Sequence, residues 1–220
     1  MKHPYVTFEK ENHIYTIHQS KNGEAADSFA SESRVVPSVT QIIQENNLGF
    51  DFSQIKNLDL SWYGDRGTKV HKACEYFDQK RLDWNTVDLK ILGYIKSYQL
   101  GQHHYKFEIL KSEMMVFDRL ERYAGMLDRI VNFDRSAGVN HGVAQIDIKS
   151  GKPHPSHGYQ TAGYNNCLDG VNAEFNKHIP RYCLYLNKDG EMPELRAYSS
   201  LNDFVIFESA LNCSIARNSH

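Results

Sequence analysis

Four cysteines in 220 residues, none in a C-x-x-C pair, give no local thiolate pattern for a zinc knuckle or an iron–sulphur cluster. Cys74, Cys167, Cys183 and Cys213 read instead as reduced, partly buried small hydrophobes. No run approaches the roughly 18 apolar residues that cross a bilayer. The opening Met1-Lys2-His3-Pro4-Tyr5-Val6 lacks the apolar core of a secretory leader and soon reaches Glu9 and Glu11. A soluble cytoplasmic protein with no membrane partner is expected. Neither sign of charge is in excess: 25 Lys and Arg against 27 Asp and Glu leave −2, unlike the basic surplus of a generic polyanion binder. Internal repeats, low-complexity tracts and long linkers are also missing, so 1–220 reads as one domain. The 40% hydrophobic and 12% aromatic content excludes intrinsic disorder. A chain this long can bury a core without disulfides or metal staples.

The first 36 residues read as a hairpin followed by a loop. Val6-Thr7-Phe8 and Ile14-Tyr15-Thr16-Ile17 alternate around a polar Lys10–His13 turn, and a Ser, Glu, Asn and Gly-rich loop extends to Val36-Pro37. Residues 37–100 read as helical. Ser38 caps a helix carrying Val39, Ile42 and Ile43. A second helix starts near Gly67-Thr68 with Val70, Ala73, Cys74 and Phe77, and a third carries Leu89, Ile91, Leu92, Ile95 and Tyr98. From 107 the period changes to two, over Phe107–Phe117, Tyr123–Phe133 and Val143–Lys149, with turns at Asp118-Arg119 and Ser136–Gly142. Ser156–Leu168 reads as a helix ending at Gly170. Tyr182–Leu186 and Leu195–Tyr198 flank a turn at Asn187–Gly190, and Ser200 caps a last helix with Phe204, Val205, Phe207, Ala210 and Leu211. The expected class is α/β or α+β, a mixed sheet flanked by helices, with 107–214 as the core.

Asp-x-Lys occurs three times. Asp78–Lys80 and Asp88–Lys90 lie in charge-rich helical contexts and read as solvated faces. Asp147-Ile148-Lys149 instead ends an apolar strand, where alternation puts Asp147 and Lys149 on one face and Ile148 on the other. Asp128 follows an apolar run on the preceding strand, and a hairpin across the Ser136–Gly142 turn would bring the two acids together. Paired carboxylates repel unless a proton or a hard cation such as Mg²⁺ or Mn²⁺ intervenes.

Further signals precede and follow these two strands. Gly67-Thr68-Lys69-Val70-His71 lies on a helix, Glu113 on the first strand of the meander, Gly125-Met126-Leu127-Asp128 on the second, and Gln160-Thr161-Ala162-Gly163-Tyr164 on the crossover helix. In order, G-x-x-x-H, an acid, G-x-x-D, D-x-K and Q-x-x-x-Y resemble the RecB-like branch of the PD-(D/E)XK nuclease superfamily, over roughly residues 5–211. Val36-Pro37-Ser38-Val39-Thr40 after a hairpin is similar to the entry of its phage and mitochondrial exonuclease relatives. The resemblance implies a restriction-endonuclease-like core and a Mg²⁺- or Mn²⁺-dependent DNA exonuclease leaving 5′-phosphates, in phage or cellular recombination and repair. It implies Asp128, Asp147, the Ile148 carbonyl and His71 as metal ligands. It further implies Lys149 holding or activating water, Glu113 as a catalytic residue serving as a second metal or water ligand, and Gln160 and Tyr164 touching DNA or bracing the site. A DNA endonuclease using the same site and a non-catalytic nucleic-acid-binding module remain open.

For DNA contact, Lys152 after the D-x-K strand and Arg66 and Lys69 beside His71 are the phosphate-positioning candidates, with Trp62 and Tyr63 as stacking rings. A single-strand annealing protein or a helicase would be the protein partner. His154-Pro155-Ser156-His157 resembles a metal pair, but its proline marks a loop, so it is left out of the ligand set.

Overall fold

The structure, a computed structural model, describes residues 5–18, 33–51, 60–118, 120, 122–136, 138–139, 142–168 and 179–218, the side chains of 60–63 excepted. The expected Trp62 and Tyr63 side chains, Arg119 and Gly170 lie outside that description, as does the loop over 19–32.

β1 (Tyr5–Glu9) and β2 (Ile14–His18) form the expected hairpin, in the register Val6↔Ile17 and Phe8↔Tyr15. The end of the expected loop is instead a third strand, β3 (Ser33–Val36), paired antiparallel to β2. Only Val36 of its four residues is buried, so the alternation that marks a strand is missing from the sequence. Helix α1 (Val39–Glu45) begins with a complete capping box: Gln41 N–H donates to Ser38 Oγ at 3.1 Å, and Ser38 N–H donates to Gln41 Oε1 at 2.7 Å. Helix α2 (Leu60–Asp78) starts earlier than its apolar stripe suggests, and α3 (Leu89–Tyr105) follows a short 3₁₀ turn at Trp84–Thr86. Asp88 caps α3 by accepting from Lys90 N–H at 2.9 Å, while Leu89, read as part of the apolar face, is exposed.

A mixed sheet then takes the order β4-β5-β6-β7-β8, formed by β4 (Phe107–Phe117), β5 (Ala124–Phe133), β6 (Gly142–Lys149), β7 (Arg181–Tyr185) and β8 (Glu194–Ala197). The β6–β7 pair is parallel and the other pairs are antiparallel. A parallel pair needs a crossover, and helix α4 (Ser156–Asn166) lies in it. Helix α5 (Asn202–Asn218) closes the chain's described part, with Asn202 N–H bonded to Ser200 Oγ at 3.2 Å. The mixed α/β class expected from the sequence, helices flanking a mixed sheet with an N-terminal hairpin, is the one observed.

Each face of the sheet has its own core. Val70, Cys74, Ile91, Ile95 and Tyr98 of α2 and α3 cover Val131, Phe133, Ile146, Ile148 and Leu184. Val39, Ile42, Tyr164, Phe207 and Leu211 of α1, α4 and α5 cover Val116, Leu127 and Ile130. Each such side chain contributes about 1.5–3 kcal/mol when fully buried. The small sheet packs Tyr15, Ile17 and Val36 on Phe117 and Ala124, next to an isolated bridge between Ser38 and Ala124 of β5. Cys74, Cys167 and Cys183 are buried and Cys213 is exposed. Among the described residues no helix is long and apolar enough to cross a membrane.

A buried polar network fixes α4 on the strands. Gln145 Nε2 donates to the Thr161 carbonyl at 3.2 Å, and Asn165 Nδ2 donates to Gln145 Oε1 at 3.3 Å. Arg181 Nη1 donates to the Gly158 carbonyl at 2.8 Å, and its Nη2 reaches Asp203 at 3.0 Å. Buried polar groups tolerate burial only when so paired, which leaves α4 little freedom to slide.

Candidate functional site

The β5–β6 ladder runs from Phe133↔Gly142 to Arg129↔Ile146 and stops there. Its next register position belongs to Asp128 and Asp147. Backbone groups freed by the diverging strands need partners. Ile148 N–H finds one in Asp128 Oδ2 at 2.7 Å. Ile148 thus meets Asp128 through its amide. β6 remains paired to β7 through Lys149↔Tyr185, so only one side of β6 opens.

Alternation along β6 sends Ile146 and Ile148 into the core under α2 and α3. Asp147 and Lys149 share the opposite face, as expected. Lys149 Nζ donates to Gln160 Oε1 at 2.8 Å and contacts Asp147 Oδ2 as an ion pair. Gln160 in turn donates from Nε2 to Tyr164 Oη at 3.1 Å. Tyr164 is only 5% exposed, so of the two roles expected for it the bracing one fits its burial. A Cβ on Gly125 would meet the Tyr164 ring at 2.6 Å. The glycine of Gly125-x-x-Asp128 and the tyrosine of Gln160-x-x-x-Tyr164 are therefore two halves of one contact. Gly67 has open space where a Cβ would stand, and nothing in the structure explains it.

Across the other edge of β5, β4 contributes Glu113. An irregularity between Ile109 and Lys111 shifts the register by one, and Glu113 then falls between Ser112↔Arg129 and Met114↔Leu127, opposite Asp128. Its φ is 46°, a left-handed conformation that costs on the order of 1–3 kcal/mol in a non-glycine residue. From α2, His71 Nδ1 comes within 3.3 Å of Asp128 Oδ1. One ligand atom from each of His71, Glu113 and Asp128 lies within 4.8 Å of the others. His71 and Glu113 are each 28% exposed at the side chain, which leaves this cluster reachable from solvent. Asp147, assigned with His71 and Asp128 as a ligand from the sequence, stands outside this trio and against Lys149. Its Oδ2 is buried without an aligned hydrogen-bond donor. One imidazole with several carboxylate oxygens is a donor set that fits a divalent cation such as Mn²⁺ or Mg²⁺.

The charges are mutually dependent. Burial pushes the Asp147 carboxyl up to about 6, against the pull of Lys149 and with help from Asp128. Burial acts the same way on Asp128, but His71, Lys149 and Arg129 outweigh it and hold Asp128 below the usual carboxylate range. Glu113 is raised by burial and by the Asp128 charge. Burial disfavours the His71 imidazolium, yet Asp128 more than compensates and raises its pKa. Lys149 is likewise raised, because Asp147 outweighs burial. The ammonium therefore keeps its proton. His157, in the first turn of α4, is pushed down to about 3 by burial and by Lys149, and its Nδ1 lies 2.8 Å from Tyr185 Oη.

The sequence reading of Asp78 as a solvated acid is corrected by its position. Asp78 is 3% exposed at the side chain and accepts from Arg129 Nε at 2.7 Å and from Tyr98 Oη at 3.0 Å. Arg129, fully buried, also donates from Nη1 to Glu113 Oε1 at 2.8 Å and to the Asp128 carbonyl at 2.6 Å. Neither Asp78 nor Arg129 was singled out among the site residues, and only an arginine directly after the acid of a G-x-x-D strand hinted at them. Of the basic candidates, Lys69 and Lys152 are exposed, whereas the Arg66 guanidinium lies 5.5 Å from the centre of the Tyr94 ring on α3. The small sheet adds Tyr15, whose hydroxyl is pushed up to about 12 by burial and by the charge of Glu113.

Compared with models of known protein families the chain matches none, and no curated protein matches it.

Proposed function

We propose that the chain is a divalent-metal-dependent deoxyribonuclease of the RecB-like PD-(D/E)XK type, an exonuclease that leaves 5′-phosphates. The observation that carries this reading is the meeting of Asp128 and Asp147 at the end of the β5–β6 ladder, with Lys149 on the face of Asp147 and held by Gln160. Asp128 raises both Glu113 and Asp147 by its charge, and such carboxylates, two of the three buried, are costly unless a cation is their purpose. A divalent ion held by His71, Glu113, Asp128 and Asp147 would neutralise charge developing on the scissile phosphate and acidify water beside it.

The chain's own groups divide the remaining work. Asp128 stays ionised and fixes the open end of β6 through Ile148 N–H. Lys149 acts as a proton-bearing donor that orients the attacking water or a phosphate oxygen, not as a base, since its raised pKa keeps it charged. Lys69 and Lys152 offer phosphate contacts from exposed positions. DNA ends produced in the cytoplasm during recombination or repair are the substrate this reading assigns, with a single-strand annealing protein or a helicase as the partner that handles the remaining strand.

The test is digestion of linear and covalently closed circular DNA by the wild type, Asp147→Ala and Lys149→Ala, with Mg²⁺ or Mn²⁺ and with a chelator. Loss of linear DNA only, dependent on metal and on both residues, is the expected result. Nicking of closed circles would move the assignment to an endonuclease. Equal activity in all three proteins, or none in the wild type, would overturn the reading.

A further inference from the structure

Glu113 occupies a backbone conformation that strands avoid, beside a second carboxylate that repels it. Both costs persist only where surroundings over-determine the geometry. Arg129 supplies that constraint. Its guanidinium is completely buried in β5, with one nitrogen reaching both Glu113 Oε1 and the Asp128 carbonyl and another bonded to Asp78. One oxygen of Glu113 is thereby held by Arg129. Arg129 is aimed in turn. Asp78 takes Nε at 2.7 Å, and Tyr98 Oη, from α3, lies 3.0 Å from each oxygen of Asp78. Asp78 and His71 are seven residues apart on α2, two turns along one face. A single helix thus approaches the acids twice, once directly through His71 and once through the Asp78–Arg129 pair.

We propose that Asp78 and Arg129 are positioning residues that set Glu113 as a ligand for a divalent cation shared with His71 and Asp128. The proposal rests on the reading of this cluster as a cation site, and it concerns residues that touch neither cation nor substrate. Groups that orient ligands in this way typically change metal affinity by about 10–100-fold when removed.

The experiment is a Mn²⁺ titration by calorimetry on the full chain, at a temperature well below each protein's own melting point. The proteins are wild type, Asp78→Asn, Tyr98→Phe, Glu113→Gln and the double variant Asp78→Asn/Glu113→Gln, each also melted without metal. If Asp78 acts through Glu113, Asp78→Asn weakens Mn²⁺ binding about tenfold or more and Tyr98→Phe does so by a smaller factor. The double variant then binds no more weakly than Glu113→Gln alone, because the ligand being positioned is already gone. A purely structural Asp78 would lower the melting temperature and leave Mn²⁺ affinity unchanged. That outcome overturns the proposal, as do losses that multiply in the double variant or a wild type that does not bind Mn²⁺. A wild type that binds Mn²⁺ yet leaves DNA intact removes the nuclease reading while the positioning role stands. Arg129→Lys serves as the conservative variant, keeping the charge and losing the fork, and is expected to bind Mn²⁺ more weakly than wild type.

Discussion

Asp147→Asn is expected to make the metal-free protein more stable while ending hydrolysis. Asp147 is 2% exposed, and burial above all pushes its carboxyl from 3.8 to about 6 despite Lys149. Between those values the folded chain holds a proton that the unfolded chain has released. Folding stability therefore falls as pH climbs through this window and stays lowered above it. At about 1.36 kcal/mol per pH unit, the full loss is about 3 kcal/mol at neutral pH. An amide of the same shape carries no charge and escapes it. Lys149 loses its anion in the variant but keeps Gln160 Oε1 at 2.8 Å, which trims the expected gain to about 1–2 kcal/mol. For a chain of this size that is roughly 2–8 °C in melting temperature. The measurement is urea or thermal unfolding in a chelator at several pH values from 4 to 8. The gain should be close to zero near pH 4 and complete above pH 6. A variant no more stable than wild type at pH 7.5, or one with the same gain at pH 4, would refute the reasoning.

The same protonation has a functional face. Mn²⁺ binding should weaken as pH drops through about 6, where Asp147 of the metal-free protein takes up its proton, and an affinity flat down to pH 5 would contradict this. Gln160→Ala frees the Lys149 ammonium on its far side, so kcat is expected to drop about tenfold with Mn²⁺ affinity unchanged, measured by steady-state cleavage beside a Mn²⁺ titration. In Gly93→Ala the new methyl would stand 1.8 Å from the Lys188 carbonyl oxygen, forcing α3 off the β7–β8 turn. Overpacking of this kind costs about 1–3 kcal/mol or more, and a melting temperature equal to wild type would show that the turn yields freely.

What could be read in advance was whatever the chain encodes over short distances. The Ser38 cap, the Val6–Ile17 hairpin and the strand over Phe107–Phe117 are local, and each was found where expected. The common face of Asp147 and Lys149 follows from the strand period alone. Elements that exist because of a distant partner were not legible. Ser33–Val36 is a strand by virtue of β2, with three of its four side chains in solvent. Asp78 reads as a surface acid until Arg129, fifty-one residues later, comes to meet it. The displaced register of β4 and the left-handed Glu113 leave no trace in a sequence whose alternation continues across them. The nearness of Glu113 to His71 and Asp128 was illegible for the same reason: a backbone detour turns Glu113 toward Asp128, while Asp147 stands against Lys149.

Arg129 also fixes an order of events. Its contacts join positions 78, 113 and 128 from a helix and two strands, and His71 joins 128 across a similar stretch. During vectorial synthesis no part of the acid cluster can assemble before β5 has emerged, and Lys149 has no brace until α4 follows it. Closing loops of this length is entropically costly and is repaid only by packing the sheet. A partly folded chain therefore carries these acids apart, and Asp78, Glu113 and Asp128 come together only as Arg129 is sealed from solvent.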